Sequence, residues 1–147
     1  MPSNAMRSLG EMFRQFRTAE GQSRPAKTVE RYGWLLLIQG SAVLLFPHFI
    51  ASILGFAPLE HQAAGFLRLV GMLIGGFGMV YAISGRMNAE GFVFASLIDR
   101  PFVAPVTAVL WYLGMLPGGL ALLIAFEDSA TWLWTFLAWR AATRNPE

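Results

Sequence analysis

Five ionisable residues fall within stretches that are otherwise apolar: Arg68, Asp99, Arg100, Glu127 and Asp128. An ionised side chain at the centre of a membrane-spanning helix costs at least ~2.5–3.5 kcal/mol on insertion scales, so such residues turn inward and find partners. Arginine brings a rigid fork of donors, and a carboxylate brings acceptors that match it. The pattern therefore predicts a buried charge network of Arg68, Arg100 and Asp128, with Glu127 or Asp99 as a further member. Adjacent helical residues point about 100° apart, so one member of each doublet, Asp99-Arg100 or Glu127-Asp128, is free to face elsewhere. Such a network either fixes how the helices sit against one another or lines a polar cavity for an anionic headgroup, a quinone-type molecule or a proton.

Other chemistry has less to build on. His48 and His61 fall near one face of the membrane with Glu60 beside them, a set that could hold a metal or haem. They flank a loop, however, and the spacing that marks a metal site is absent. The chain has no cysteine, which excludes disulfides, thiolate metal sites and thiol catalysis. Neither a nucleophile elbow nor an HExxH helix is present. The Gly75-Gly76-Phe77-Gly78 stretch lies inside an apolar run, where helix packing explains it better than phosphate binding. No catalytic residue is assigned, no cofactor is specified, and a non-enzymatic protein is expected. Trp132, Trp134 and Trp139 read as packing or lipid-facing anchors.

The elements that must position these residues are membrane helices. Of 147 residues, 55% are hydrophobic and only 14% charged, against about 25% charged in an ordinary globular chain. The expected fold is all-α: an integral membrane four-helix bundle (residues 29–147) preceded by a short amphipathic cytoplasmic segment (1–28). The spans are placed at about 31–54, 62–84, 89–113 and 118–140. Tyr32 and Trp34 are aromatics of the type found at the membrane interface and open the first. Its apolar run to Phe46 is short against the roughly 20 residues a span needs, so the helix must begin before Tyr32 or continue past Pro47. The second carries Gly71, Gly75, Gly78 and Ala82 on one face, a stripe of small residues that lets another helix approach closely.

For the last sixty residues, a third span at 102–126 would leave only 130–142 for a fourth, too short to cross. The Gly114-Met115-Leu116-Pro117-Gly118-Gly119 turn signal instead divides them into two adequate spans and brings Arg100 level with about residue 130 across the hairpin. Of the eleven Lys and Arg residues, nine fall in segments on the amino-terminal side of the membrane and none in the two opposite loops. The positive-inside rule then puts both termini in the cytoplasm. Leu9, Met12, Phe13 and Phe16 recur at helical spacing among Arg7, Glu11, Arg14 and Arg17, which suits a helix lying on the anionic leaflet. No secretory signal peptide is expected, and a basic cluster beside a membrane helix is a topology signal, not a nucleic-acid site.

Tyr32-Gly33, Pro47, Leu54-Gly55-Phe56, Phe66-Leu67-Arg68-Leu69-Val70-Gly71, Gly78, Tyr81 and Arg86, then Arg100, the 114–117 turn, Asp128, Trp132 and Leu137, give the chain a likeness to small bacterial four-helix membrane proteins. Over about residues 30–140 it resembles the BphX-like and DoxX-like families. The resemblance implies the bacterial inner membrane, and some DoxX-like members are implied as subunits of membrane redox complexes. The expected role is a non-catalytic membrane subunit that packs against or stabilises a larger respiratory or photosynthetic complex, with lipid, other membrane subunits or further copies of itself as partners. The alternative is a small transporter or ligand-binding protein that uses the buried Arg/Asp network.

Overall fold

The computed structural model describes residues 8–144, whose regular structure is entirely helical. Arg7, counted above in the basic segment, lies outside the described residues. Seven α-helices follow one another: α1 (Leu9–Thr18), α2 (Arg24–Leu45), α3 (Pro47–Ile53), α4 (His61–Arg86), α5 (Glu90–Asp99), α6 (Val103–Tyr112) and α7 (Gly118–Arg144). A 3-10 turn, Arg100–Phe102, joins α5 to α6. Three units are long and apolar enough to cross a membrane: α4, the α5–α6 pair and α7. A fourth is reached if α2 and α3 count together, and these are bent from one another by 110°.

Pro47 makes that bend. It has no N–H to return to the Val43 carbonyl, and its ring crowds that oxygen. A straight first helix over 31–54 is therefore not what forms. The helix starts earlier, at Arg24, where the Ser23 hydroxyl accepts from the Ala26 N–H and Pro25 occupies the first turn. Its 22 residues rise about 33 Å, but Arg24, Lys27, Glu30 and Arg31 occupy its first eight positions, and it qualifies as a span only when α3 is counted with it.

The closest contact in the fold is between α2 and α4. Ala26, Gly33 and Gly40 face Gly85, Gly78 and Gly71 in antiparallel order, backbone against backbone. A Cβ added at Gly33 would lie 2.2 Å from the Ala82 nitrogen, at Gly40 2.3 Å from the Gly75 nitrogen, and at Gly78 2.4 Å from the Leu37 nitrogen. Both rows repeat every seven residues, the period that keeps two helices in contact along a shared seam. Gly75 differs from the rest of the predicted stripe: a Cβ there would make only ordinary contacts, with Leu37 Cδ1 at 3.9 Å and Gly40 Cα at 4.0 Å.

Beyond the seam, α6 and α7 run back from a turn in which Gly114 takes a left-handed φ of 71°. The α7 helix also packs on α2, where the buried Thr28 hydroxyl donates to Thr135 Oγ1 at 2.9 Å. Small and β-branched side chains fill the interior: Ala26, Val29 and Val93 form its centre with Tyr81 and Phe92 against them. The large apolar residues mostly face outward. Phe66, Phe77, Phe94, Phe102, Leu122 and Phe126 are each at least 60% exposed, an apolar surface far beyond what a water-soluble monomer carries.

At the amino-terminal end, Ser8 and Glu11 form a capping box that starts α1. Arg86, the last residue of α4, reaches back to α1 and donates to the Phe16 and Arg17 carbonyls. Its Nη1 pairs with Glu30 Oε1 at 2.7 Å.

Candidate functional site

Proline at 101 decides where Arg100 points. Pro101 cannot donate to the preceding turn, so the helix tightens to 3-10 at Arg100–Phe102. Arg100 is left with only 3% of its surface exposed. Its Nε donates to Asp128 Oδ1 at 3.3 Å and its Nη2 to the Asp128 carbonyl at 3.3 Å. The same Nη2 also donates to Thr131 Oγ1. The guanidinium carbon lies over the Tyr32 ring, 3.9 Å from its centroid, a cation–π contact. Tyr32 completes the circuit by donating its hydroxyl to Asp128 Oδ1 at 2.9 Å. One carboxylate oxygen thus serves two donors from two helices.

Tyr32, expected at the membrane interface, is instead 7% exposed, whereas Trp34 is 46% exposed. Tyr32 precedes Gly33 on the face that meets the rest of the bundle, and its long side chain crosses to α7. Edge-to-face contacts extend this group through Tyr81, 5.3 Å from Tyr32, to Phe92, 4.8 Å further. Glu127 takes the other direction of its doublet and accepts from Gln39 Nε2 at 2.6 Å.

Of the predicted network, the structure brings together Arg100 and Asp128, with Glu127 beside them on a separate partner. Arg68 does not join. The inward face of α4 is occupied by the α2 backbone at Gly71 and Gly78, and Arg68, about 60° round the helix from Gly71, is exposed. It makes no ion pair among the described residues. Asp99 is exposed at a cavity rim while its neighbour Arg100 turns inward. His48 and His61 are both exposed, and no group of three metal-ligating side chains forms among the described residues.

Two cavities meet at this cluster. One, about 490 Å³, is lined by Phe77, Tyr81, Phe92, Ser96, Asp99 and Arg100. The other, about 420 Å³, is lined by Gln39, Ile50, Leu54, Leu123, Ile124 and Glu127. Tyr32, Leu36, Ile74 and Asp128 border both. Their walls are apolar, and their sizes fall in the range of small-molecule sites. Two buried polar atoms have no hydrogen-bond partner among the described residues: Arg100 Nη1 and Glu127 Oε1. Leaving such a group unmatched costs about 1–3 kcal/mol, more when it is charged.

Tyr32, Gln39 and Thr131 are the members that sequence reasoning did not find. Thr131 had a signal, since it lies three residues from Asp128 and thus on the same helix face. Gln39 had one too, as the only amide in the apolar run of α2. Gly33, Gly40 and Gly85 were also missed, although each extends a seven-residue row of small residues.

No protein-family model, curated protein or solved structure matches this chain.

Proposed function

We propose that this chain is a four-span inner-membrane protein that binds a small amphiphilic molecule at the Arg100 cluster and does not transform it. The spans in this reading are α2, α4, the α5–α6 pair and α7, with α3 lying along the outer surface and both termini cytoplasmic. The basic residues support that orientation: Arg86, Arg140, Arg144 and the described basic residues from Arg14 to Arg31 gather at one end.

The observation that carries the binding function is the unmatched Nη1 of a buried arginine that lines an apolar cavity, with a second apolar cavity adjoining it through Tyr32, Leu36, Ile74 and Asp128. A molecule with an apolar body and a carbonyl, carboxylate or phosphate oxygen would fill the space and meet that donor. The subunit role expected from the sequence rests on wide apolar faces, which any four-span protein turns to lipid. Packing against a partner gives no reason for a buried cation with an unmet donor.

Native mass spectrometry of protein purified in mild detergent tests this. The wild type is expected to carry a small molecule at about one per chain, and Ile74→Trp, which pushes an indole into the space at the wall both cavities share, is expected to lose it while keeping its helical content. A wild type that carries nothing, or an Ile74→Trp protein that retains the molecule, refutes the binding site. Stoichiometric co-purification of larger membrane subunits with an empty cavity would restore the subunit role.

A further inference from the structure

A further cavity lies against the amino-terminal half of α2, at the side that carries Trp34. It is a groove of about 710 Å³ beneath α1, lined by Phe13, Arg14, Phe16, Arg17, Trp34 and Arg86. We infer that this groove holds the headgroup of an anionic phospholipid, with α1 as its clamp. The inference rests on the membrane placement proposed above, and is independent of any ligand at Arg100.

Charge and shape argue for it together. Arg86 is already committed: Glu30 neutralises it, and its remaining donors take the Phe16 and Arg17 carbonyls. Those carbonyls belong to the last turn of α1, where no helical N–H remains to meet them, so Arg86 fixes α1 over the groove. Arg14 and Arg17 are different. Both are exposed, and neither forms an ion pair among the described residues. The one carboxylate of α1, Glu11, accepts from the Ser8 N–H at 3.0 Å, and Glu11 and Glu20 share with Arg14 a second pocket that does not include Arg17. The two arginines thus line the groove with no ion pair of their own among the described residues.

A free anion would satisfy those charges but leave the apolar part of the site uncovered. Leu9 and Phe13 are 75% and 73% exposed, and Trp34, 46% exposed, stands at the point where α2 passes from its charged first turns to its apolar run. Aromatic and apolar side chains at that level belong at the boundary between headgroups and acyl chains. A phospholipid meets both needs, its phosphate at Arg14 and Arg17 and its glycerol and upper chain along Phe13 and Trp34.

The test uses the full chain in detergent, titrated with phosphatidylglycerol or phosphatidylcholine of identical acyl chains and read by native mass spectrometry. The wild type should retain phosphatidylglycerol at least about 10-fold better, as expected for basic residues at an anionic surface. The double variant Arg14→Gln/Arg17→Gln should lose that preference. Arg140→Gln/Arg144→Gln, which removes the same charge from the end of α7, should keep it. Equal retention of the two lipids by the wild type, equal loss in both double variants, or displacement of phosphatidylglycerol by millimolar inorganic phosphate would overturn the inference. Retention of Arg14→Gln/Arg17→Gln in carbonate-washed membranes separates the two proposals. If the variant stays embedded with its lipid preference unchanged, the groove is wrong and the membrane placement stands; if the wild type itself washes off, both fall.

Discussion

Replacing Gly78 by alanine puts a methyl carbon 2.4 Å from the Leu37 nitrogen and 2.8 Å from the Gly33 carbonyl oxygen. Both obstacles are backbone, so no side-chain rotation relieves them. Restoring an ordinary contact of about 3.5 Å needs α2 and α4 to part by about 1 Å. Because the two helices touch along their whole length, that displacement also opens the contacts at Gly33 and Gly40. Overpacking of a close contact costs about 1–3 kcal/mol, and the loss of neighbouring contacts places Gly78→Ala at the upper end. Gly75→Ala is the internal control, because its added methyl would lie 3.9 Å from the nearest atom. At about 3 °C per kcal/mol for a chain of this size, thermal unfolding in detergent should show Gly78→Ala about 6–9 °C below the wild type and Gly75→Ala within about 2 °C of it. Equal melting temperatures for the two variants would refute the close-seam reasoning, since their sequence contexts are alike and only the geometry separates them.

Asp128→Asn leaves Arg100 buried against a neutral partner and should lower stability by about 3–5 kcal/mol. Tyr32→Phe removes one hydrogen bond to a carboxylate and should cost about 1.5–3 kcal/mol; unfolding in detergent should rank the two in that order, and an unchanged Asp128→Asn would remove the ion pair from the account. Thr28→Val takes a donor from Thr135 Oγ1, which keeps its own donation to the Thr131 carbonyl, and should cost about 0.5–1.5 kcal/mol, while the double change Thr28→Val/Thr135→Val should recover part of it. A double variant no better than the single one would mean that the hydroxyl pair is not coupled.

Much of the helical outline was legible because it depends on local signals. Pro47 and the 114–119 turn interrupt apolar runs, and each coincides with a break in the helices, whereas the break at Pro101 falls inside a span read as continuous over 89–113. The inward direction of Arg100 could not be read in the same way. It depends on a single 3-10 turn that rotates the side chain relative to an unbroken helix, and on which helix faces which. The same gap explains Arg68: its height in the membrane was estimable from residue counts, but not that α2 occupies the inner face of α4. Tyr32 was read by type, as an interfacial aromatic, whereas its position next to Gly33 decides its place. The α4 half of the small-residue seam was visible as spacing. Its α2 half, Ala26, Gly33 and Gly40, is spread over a helix whose start lies in a charged segment, where composition alone does not announce a packed face.

The seven-residue repeat on both sides of the seam makes it self-similar. Sliding α2 along α4 by one repeat would set Gly33 on Gly85 and Gly40 on Gly78, glycine on glycine once more, with no steric objection from the backbone. What such a slide would break is the aromatic contact: Tyr81 would move about 10 Å from Tyr32, and the ring that carries the Arg100 guanidinium would lose its support. The glycines thus permit intimacy at several alignments, and the tyrosines select one. On that account Tyr81→Ala should yield a protein that still pairs its helices but samples two alignments, visible as a doubled distance distribution between spin labels on α2 and α4.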